Sequence, residues 1–147
     1  MRSLRTLTVV CGGSLIFWLT SACQTSCGNS NQQPILYVDG KKHIDGAWQI
    51  YETTPFDGEW LHFPTYRRFS LVHHLHTTDI TPIMWVAFSS NPIPLDGDAG
   101  DVALASGDVA IIERIDPDAI QIRNDTCSEQ YLYVKITAPN VLDAGTQ

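Results

Sequence analysis

Apolar residues along most of the chain fall into short runs, and Gly, Pro, Asp or Asn separates one run from the next. Within several runs apolar and polar positions alternate, as from 131 to 137, where Leu132, Val134 and Ile136 share one parity. Such alternation is typical of a half-buried strand, whereas an amphipathic helix needs a repeat of about 3.6 residues over a longer stretch. The pattern therefore predicts an all-β protein.

The runs divide into eight candidate strands, which are Ile35 to Val38, Trp48 to Glu52, Glu59 to Phe63, Arg68 to His76, Ile83 to Phe88, Val109 to Ile115, Ile120 to Arg123 and Tyr131 to Thr137. Short strands at regular spacing predict a small antiparallel β-sandwich or barrel of about seven or eight strands. The longest irregular stretch, from Asn91 to Asp108, holds at best one short strand at Val102 to Ala105.

Turn chemistry suggests how some strands are joined. Asp39-Gly40 and Asp57-Gly58 are dipeptides that accept the positive φ of a two-residue hairpin, so each predicts a hairpin. The loop from Asn124 to Gln130 connects the last two strands, which predicts that they pair with each other.

The N-terminus has a different pattern. Arg2 and Arg5 precede a mostly apolar stretch from Leu7 to Leu19, and small residues follow. This is the layout of a signal peptide, here residues 1–22. A retained membrane helix needs about 20 apolar residues, and polar ones already begin at Thr20.

The end of this segment resembles the lipobox of bacterial lipoproteins, because Ser21 and Ala22 precede Cys23, although Thr20 stands where an aliphatic residue is usual. The resemblance implies a lipid on Cys23 that anchors the protein to a membrane. Gln24, in place of the Asp that retains such lipoproteins at the inner membrane, implies the outer membrane. The alternative is ordinary cleavage after Ala22, which leaves a periplasmic or secreted protein.

Cysteine parity favours lipidation. Cleavage removes Cys11 and leaves Cys23, Cys27 and Cys127. If lipid occupies Cys23, the other two form an even pair, which predicts a disulfide between Cys27 and Cys127 in an oxidising compartment. Ordinary cleavage leaves an odd thiol.

The mature chain has about 125 residues, the length of one domain. Residues 23–33 contain almost no apolar side chains and are predicted to form a lipidated polar tether, 34–138 the β-sandwich domain and 139–147 a disordered tail. Without Arg2 and Arg5, seven basic residues face sixteen acidic ones. The resulting charge of about −9 repels nucleic acid, so we expect no nucleic-acid partner.

Histidines provide one candidate site. On a strand, His74 and His76 would face the same way, and His62 on a neighbouring strand could supply a third imidazole for zinc or copper. The same alternation is equally compatible with His73 in the core and the other histidines in solvent.

A second candidate is the acidic, Gly-rich segment with Asp96, Asp98 and Asp101, whose alternating carboxylates are the hard oxygen ligands that calcium requires. The alternative is a solvated turn. Asn124 to Thr126 also matches a glycosylation sequon, which carries little weight in a bacterial chain.

Aromatic residues are dense in the mature chain, and most of them are expected to fill the core. Tyr131 and Tyr133 lie on the parity opposite to the apolar residues of the last strand, so we expect them to be exposed. Exposed aromatic rings of this kind stack on sugars or anchor a partner protein.

Neither a Gly-x-Ser-x-Gly elbow nor a Cys-His signature is present, so we expect no enzymatic activity and no resident cofactor. The sequence thus predicts an envelope-anchored lipoprotein that acts as a binding or structural module, with a protein or polysaccharide partner. The alternatives are a metal-binding protein, either a zinc or copper carrier or a small hydrolase, and a sugar-binding module.

Overall fold

The computed structural model describes residues 32–92 and 101–140, which form ten strands and no helix. In chain order the strands are β1 (Ile35–Tyr37), β2 (Lys41–Asp45), β3 (Trp48–Glu52), β4 (Leu61–Phe63), β5 (Arg68–Val72), β6 (Thr81–Ala87), β7 (Ala103–Leu104), β8 (Ala110–Ile115), β9 (Ala119–Asn124) and β10 (Gln130–Pro139). The predicted all-β class is confirmed. No helix in the described residues is long and apolar enough to span a membrane.

The strands form two sheets. One has four strands in the order β1-β5-β9-β8, and the other has six, in the order β2-β3-β10-β6-β7 with β4 also paired to β10. Every pairing is antiparallel except that of β1 with β5. This arrangement agrees with a sandwich-like fold.

The core contains side chains from both sheets. Leu132, Val134 and Ile136 of β10 are fully buried, as their alternation predicted, and they belong to one cluster with Ile120 and Ile122 of β9. Each sheet thus buries one apolar face against the other, which removes more apolar surface from water than either sheet could alone.

The prediction that the last two strands pair with each other is wrong. Strand β9 pairs with β5 and β8, whereas β10 lies in the other sheet, between β6 on one side and β3 and β4 on the other. The connection between β9 and β10 therefore crosses the sandwich. Both strands are amphipathic, so facing each other across the core buries both apolar sides.

Neither predicted hairpin forms. Asp39-Gly40 joins strands of different sheets, and Asp57-Gly58 lies in a longer connection between two strands that both pair with β10. The tight hairpin instead joins β2 to β3 through Gly46 and Ala47, with Gly46 at a φ of 57°. Gly40 has another role, because a Cβ there would lie 2.2 Å from the Tyr51 hydroxyl oxygen.

Strand β5 is shorter than predicted and ends at Val72. His74 and His76 have φ values of 52° and 58°, in the left-handed region that ordinary residues seldom adopt. The chain therefore leaves the sheet at His73, because a strand cannot continue through such angles. Residues 1–31, 93–100 and 141–147 lie outside the described residues, and with them the predicted signal peptide, nearly all of the tether and most of the tail. The predicted tail began at residue 139, but Pro139 is the last residue of β10.

Candidate functional site

The three histidines predicted to bind metal do not come together. His62 lies on β4 and pairs with the Glu129 carboxylate, whereas the Nδ1 atom of His76, in the loop after β5, lies 2.6 Å from Asp118. Residues 32–92 and 101–140 contain no group of three or more His, Cys, Asp or Glu side chains that could hold a metal ion. The predicted cluster fails because β4 and β5 belong to opposite sheets and because β5 ends before His74.

His73 is instead a core residue, 1% exposed, while His74 and His76 are in solvent. Its Nδ1 atom accepts a hydrogen bond of 3.2 Å from the Leu75 amide, and its Nε2 atom has no partner among the described residues. Burial lowers the pKa of His73, which the nearby Asp118 carboxylate opposes. The structure therefore matches the alternative prediction from the sequence, in which His73 lies in the core and the other histidines lie in solvent.

Several predicted site residues fall outside the described residues, namely Cys23, Cys27, Asp96 and Asp98. Asp101 is exposed beside β7. Cys127 is exposed in the loop between β9 and β10, and its disulfide with Cys27 stays a prediction.

The sequon residue Asn124 is fully buried. Its amide nitrogen donates to the carbonyl oxygens of Phe63 and Ser128 at 2.8 and 3.0 Å, and its side-chain oxygen accepts from the Thr126 amide and hydroxyl at 2.8 and 2.7 Å. Asn124 is therefore a structural link between β4 and the β9–β10 loop, and its nitrogen is inaccessible to a glycan donor in the folded protein.

The six-stranded sheet has a second side, which we call the outer face, turned away from the core. On β10 it carries Tyr131, Tyr133, Lys135 and Thr137, which alternate with the core residues. Strand register places Trp85 of β6 directly beside Tyr133, so both strands contribute to one surface.

Part of the outer face is an aromatic cluster. Tyr133 is only 2% exposed because the Phe56 ring packs 5.0 Å from it, centroid to centroid, together with Trp60 at 5.6 Å and Trp85 at 5.4 Å. The prediction that Tyr133 is exposed is therefore wrong, while Tyr131 is partly exposed beside His62. The β3–β4 connection folds over the sheet, and the Trp60 indole N–H holds it by donating to the Phe56 carbonyl at 2.9 Å.

This packing also perturbs Tyr133 electrostatically. Burial raises the pKa of its hydroxyl, and the Glu52 carboxylate, which accepts a hydrogen bond from that hydroxyl, raises it further. Tyr133 is thus a neutral hydrogen-bond donor, and Glu52 is fixed at the border of the cluster. Lys135 lies on the other side of Glu52, with its Nζ atom 4.0 Å from the carboxylate.

Next to the cluster lies an open groove of about 270 Å³, lined by Trp48, Ile50, Thr81, Lys135 and Thr137. We call it the Trp48 groove. Trp48 is 54% exposed, the largest solvent-exposed fraction of the three described tryptophans. Its backbone is held by β2 and β10, and the amide of Asn140 donates to the Ala47 carbonyl at 2.8 Å.

Sequence reasoning missed this groove by treating Trp48 with the other aromatic residues. A usable signal was present in β3, where Trp48 and Ile50 share one parity and Gln49 and Tyr51 the other. Tyr51 and Gln49 face the core side, so apolar side chains line the solvent side as well. A strand with large apolar or aromatic side chains on both parities is either covered twice or carries a binding surface.

The outer side of the four-stranded sheet is different in kind. Glu113 binds both Arg68 and Arg123, with its carboxylate oxygens 2.6 Å and 2.7 Å from the two Nε atoms, and Arg123 also pairs with Asp125. Hydrogen bonding from Arg68, followed by that from Arg123, lowers the pKa of Glu113. These charges therefore satisfy one another.

Comparison with protein-family models, with curated proteins and with solved structures finds no match for this chain.

Proposed function

We propose that this chain is an exported bacterial lipoprotein, anchored to the outer membrane through Cys23, whose domain binds a component of the cell envelope on the outer face of the six-stranded sheet. The observation that carries the binding part is Trp48, an indole more than half exposed at the border of a groove on a rigid sheet. Exposed, immobilised aromatic side chains supply much of the energy in many binding sites.

The anchor is supported by the sequence alone, through the signal-peptide layout, the lipobox resemblance and the parity of the cysteines. We include the Cys27–Cys127 disulfide in the proposal. It would tie the polar tether to the loop between β9 and β10 and so hold the domain close to the membrane.

The anchor is tested by expressing the full chain in a Gram-negative bacterium and separating the membranes from the soluble fraction. The parent should sediment with outer membrane, and Cys23→Ser should appear in the periplasm or medium because it cannot be acylated. A parent protein that is soluble, with an unmodified N-terminal cysteine by intact mass, would show that this part of the proposal is wrong.

The binding face is tested with the soluble Cys23→Ser protein, which separates binding by the domain from binding by the lipid. It is sedimented with purified sacculi and, separately, with outer-membrane vesicles. We expect co-sedimentation with one of them that Trp48→Ser reduces at least about tenfold, the loss that removal of a central aromatic contact produces. Leu36→Ser is the matched control, because Leu36 is 66% exposed on the opposite sheet and should have no effect. Equal losses in both variants, or no binding, would contradict the proposal.

A further inference from the structure

We infer that the Trp48 groove binds an acidic saccharide, with a sugar ring against the Trp48 indole and a carboxylate at Lys135. This inference rests on the proposed function and gives its ligand a chemical class.

The dimensions of the groove limit the ligand. At about 270 Å³ it lies just below the roughly 300 to 1,000 Å³ of typical small-molecule sites. An α-helix is about 10 Å across, so a helical partner would lie over the groove without entering it. A single ring, or one unit of a longer polymer that extends along the open surface, matches this volume.

The lining has both of the surfaces that a sugar ring needs. Trp48 and Ile50 supply an apolar wall for the C–H side of the ring. Thr81 and Thr137 lie opposite each other on β6 and β10, and their hydroxyls can both donate and accept hydrogen bonds. Among residues 32–92 and 101–140, the Thr137 hydroxyl makes a single hydrogen bond, a long one of 3.4 Å to the Thr81 carbonyl. An acyl chain in the groove could not form hydrogen bonds with these hydroxyls.

The acidic class rests on Lys135. The mature chain has a charge of about −9, which repels an anion at long range, so a ligand carboxylate can be held only where a local cation compensates. Lys135 is the charged residue among the five that line the groove. The Nζ atom of Lys135 forms a long ion pair of 4.0 Å with Glu52, beyond hydrogen-bond distance, and that carboxylate already accepts a hydrogen bond from Tyr133. The ammonium group can therefore donate to a ligand carboxylate, and a charge-assisted bond of that kind is stronger than a neutral one.

The groove is also preformed. Trp48 begins β3, which is hydrogen-bonded on both sides, and the side chain of Gln49 donates to the Pro139 carbonyl at 3.3 Å. Ordering a flexible site consumes part of the binding free energy, and this backbone is ordered before a ligand arrives.

The test is an NMR titration of the isotope-labelled Cys23→Ser protein with a galacturonic acid trisaccharide and, in parallel, a neutral glucose trisaccharide. We expect the acidic sugar to shift the Trp48 indole N–H signal. The Trp60 indole N–H, which is bonded to the Phe56 carbonyl in the buried cluster, should stay in place. Trp48→Ala should lower the affinity at least about tenfold, and Leu104→Ala, at an exposed position on the edge strand of the same sheet, should not change it.

Lys135→Met tests the charge assignment. It should lower the affinity for the acidic trisaccharide about five- to tenfold, as should high salt, and leave binding of the neutral one unchanged. Equal affinities for the two sugars, with no effect of Lys135→Met, would overturn the acidic class.

The co-sedimentation experiment separates two kinds of failure. If neither trisaccharide moves the Trp48 signal while envelope binding remains sensitive to Trp48→Ser, the saccharide inference is wrong and the proposed function stands. If envelope binding is also absent, both are wrong.

Discussion

The buried imidazole of His73 should make the stability of the domain fall in mild acid. Its Nδ1 atom accepts a hydrogen bond from the Leu75 amide, so the neutral ring carries its own proton on Nε2. Adding a second proton would place an N–H donor against the N–H of Leu75 and a positive charge in the core. Burial therefore lowers the pKa of His73 in the folded state.

Groups on several elements face this ring. The hydroxyl-bearing ring of Tyr51 on β3 packs against it at 6.2 Å between centroids, and Asp118 lies in the turn between β8 and β9. Asp118 and the Ala119 backbone favour the charged form of His73, whereas His74 and His76 disfavour it when they are protonated. The effect of burial is the largest of these, so the net direction is downward.

The sign of the pH dependence follows from this direction. In the unfolded chain a histidine takes up its proton near pH 6.5, while the folded protein still excludes it. Stability is therefore fully present above the unfolded pKa and is lost as the pH falls through it. Between pH 7.5 and 5.5 a single histidine that stays neutral in the folded state accounts for at most about 1.4 kcal/mol of lost stability.

The assay is urea unfolding of the soluble Cys23→Ser protein at the two pH values, followed by tryptophan fluorescence. His73→Asn places an oxygen where Nδ1 lies and keeps the acceptor for Leu75 without a titrating group. The smaller side chain lowers stability at both pH values alike, so the informative quantity is the difference between them. We expect that difference to shrink by up to about 1.4 kcal/mol in His73→Asn.

The control is His43→Asn, in the exposed strand β2, which should keep the difference of the parent protein. If the unfolding free energy of His73→Asn differed between pH 7.5 and 5.5 as much as that of the parent protein, the reasoning would be refuted. An NMR titration in which the His73 ring protonates at or above pH 6.5 in the folded protein would refute it as well.

Two further predictions concern buried contacts. Asn124→Ala removes four hydrogen bonds and leaves buried partners such as the Phe63 carbonyl unpaired. We therefore expect the free energy of unfolding in urea to fall by at least about 3 kcal/mol, and a fall of under about 1 kcal/mol would contradict the assigned structural role. Gly40→Ala should cost about 1 to 3 kcal/mol because its Cβ would overlap the buried Tyr51 ring, whereas Gly107→Ala, with no atom within 4 Å, should be near neutral in the same assay. A Gly40→Ala protein as stable as the Gly107→Ala protein would show that Tyr51 can move aside.

The sequence by itself determined the class of the fold and the inner face of its longest strand. Alternation at Leu132, Val134 and Ile136 identifies residues that share a side, because successive side chains on a strand point in opposite directions. It also identified most strands, since Gly, Pro and Asp interrupt the apolar runs where the chain turns.

Tertiary structure decided which strands meet. Alternation is the same whether β9 pairs beside β10 or faces it across the core, so the sequence could not choose between the two. The separation of His62 from His74 and His76 follows from the same strand arrangement, because β4 and β5 belong to different sheets.

The candidate site also depended on the tertiary arrangement. Tyr133 and Trp48 are aromatic residues on the same face, and what distinguishes them is that the β3–β4 connection brings Phe56 over Tyr133 and leaves Trp48 exposed. Local periodicity determines the direction of a side chain, but the element that covers it comes from elsewhere in the chain.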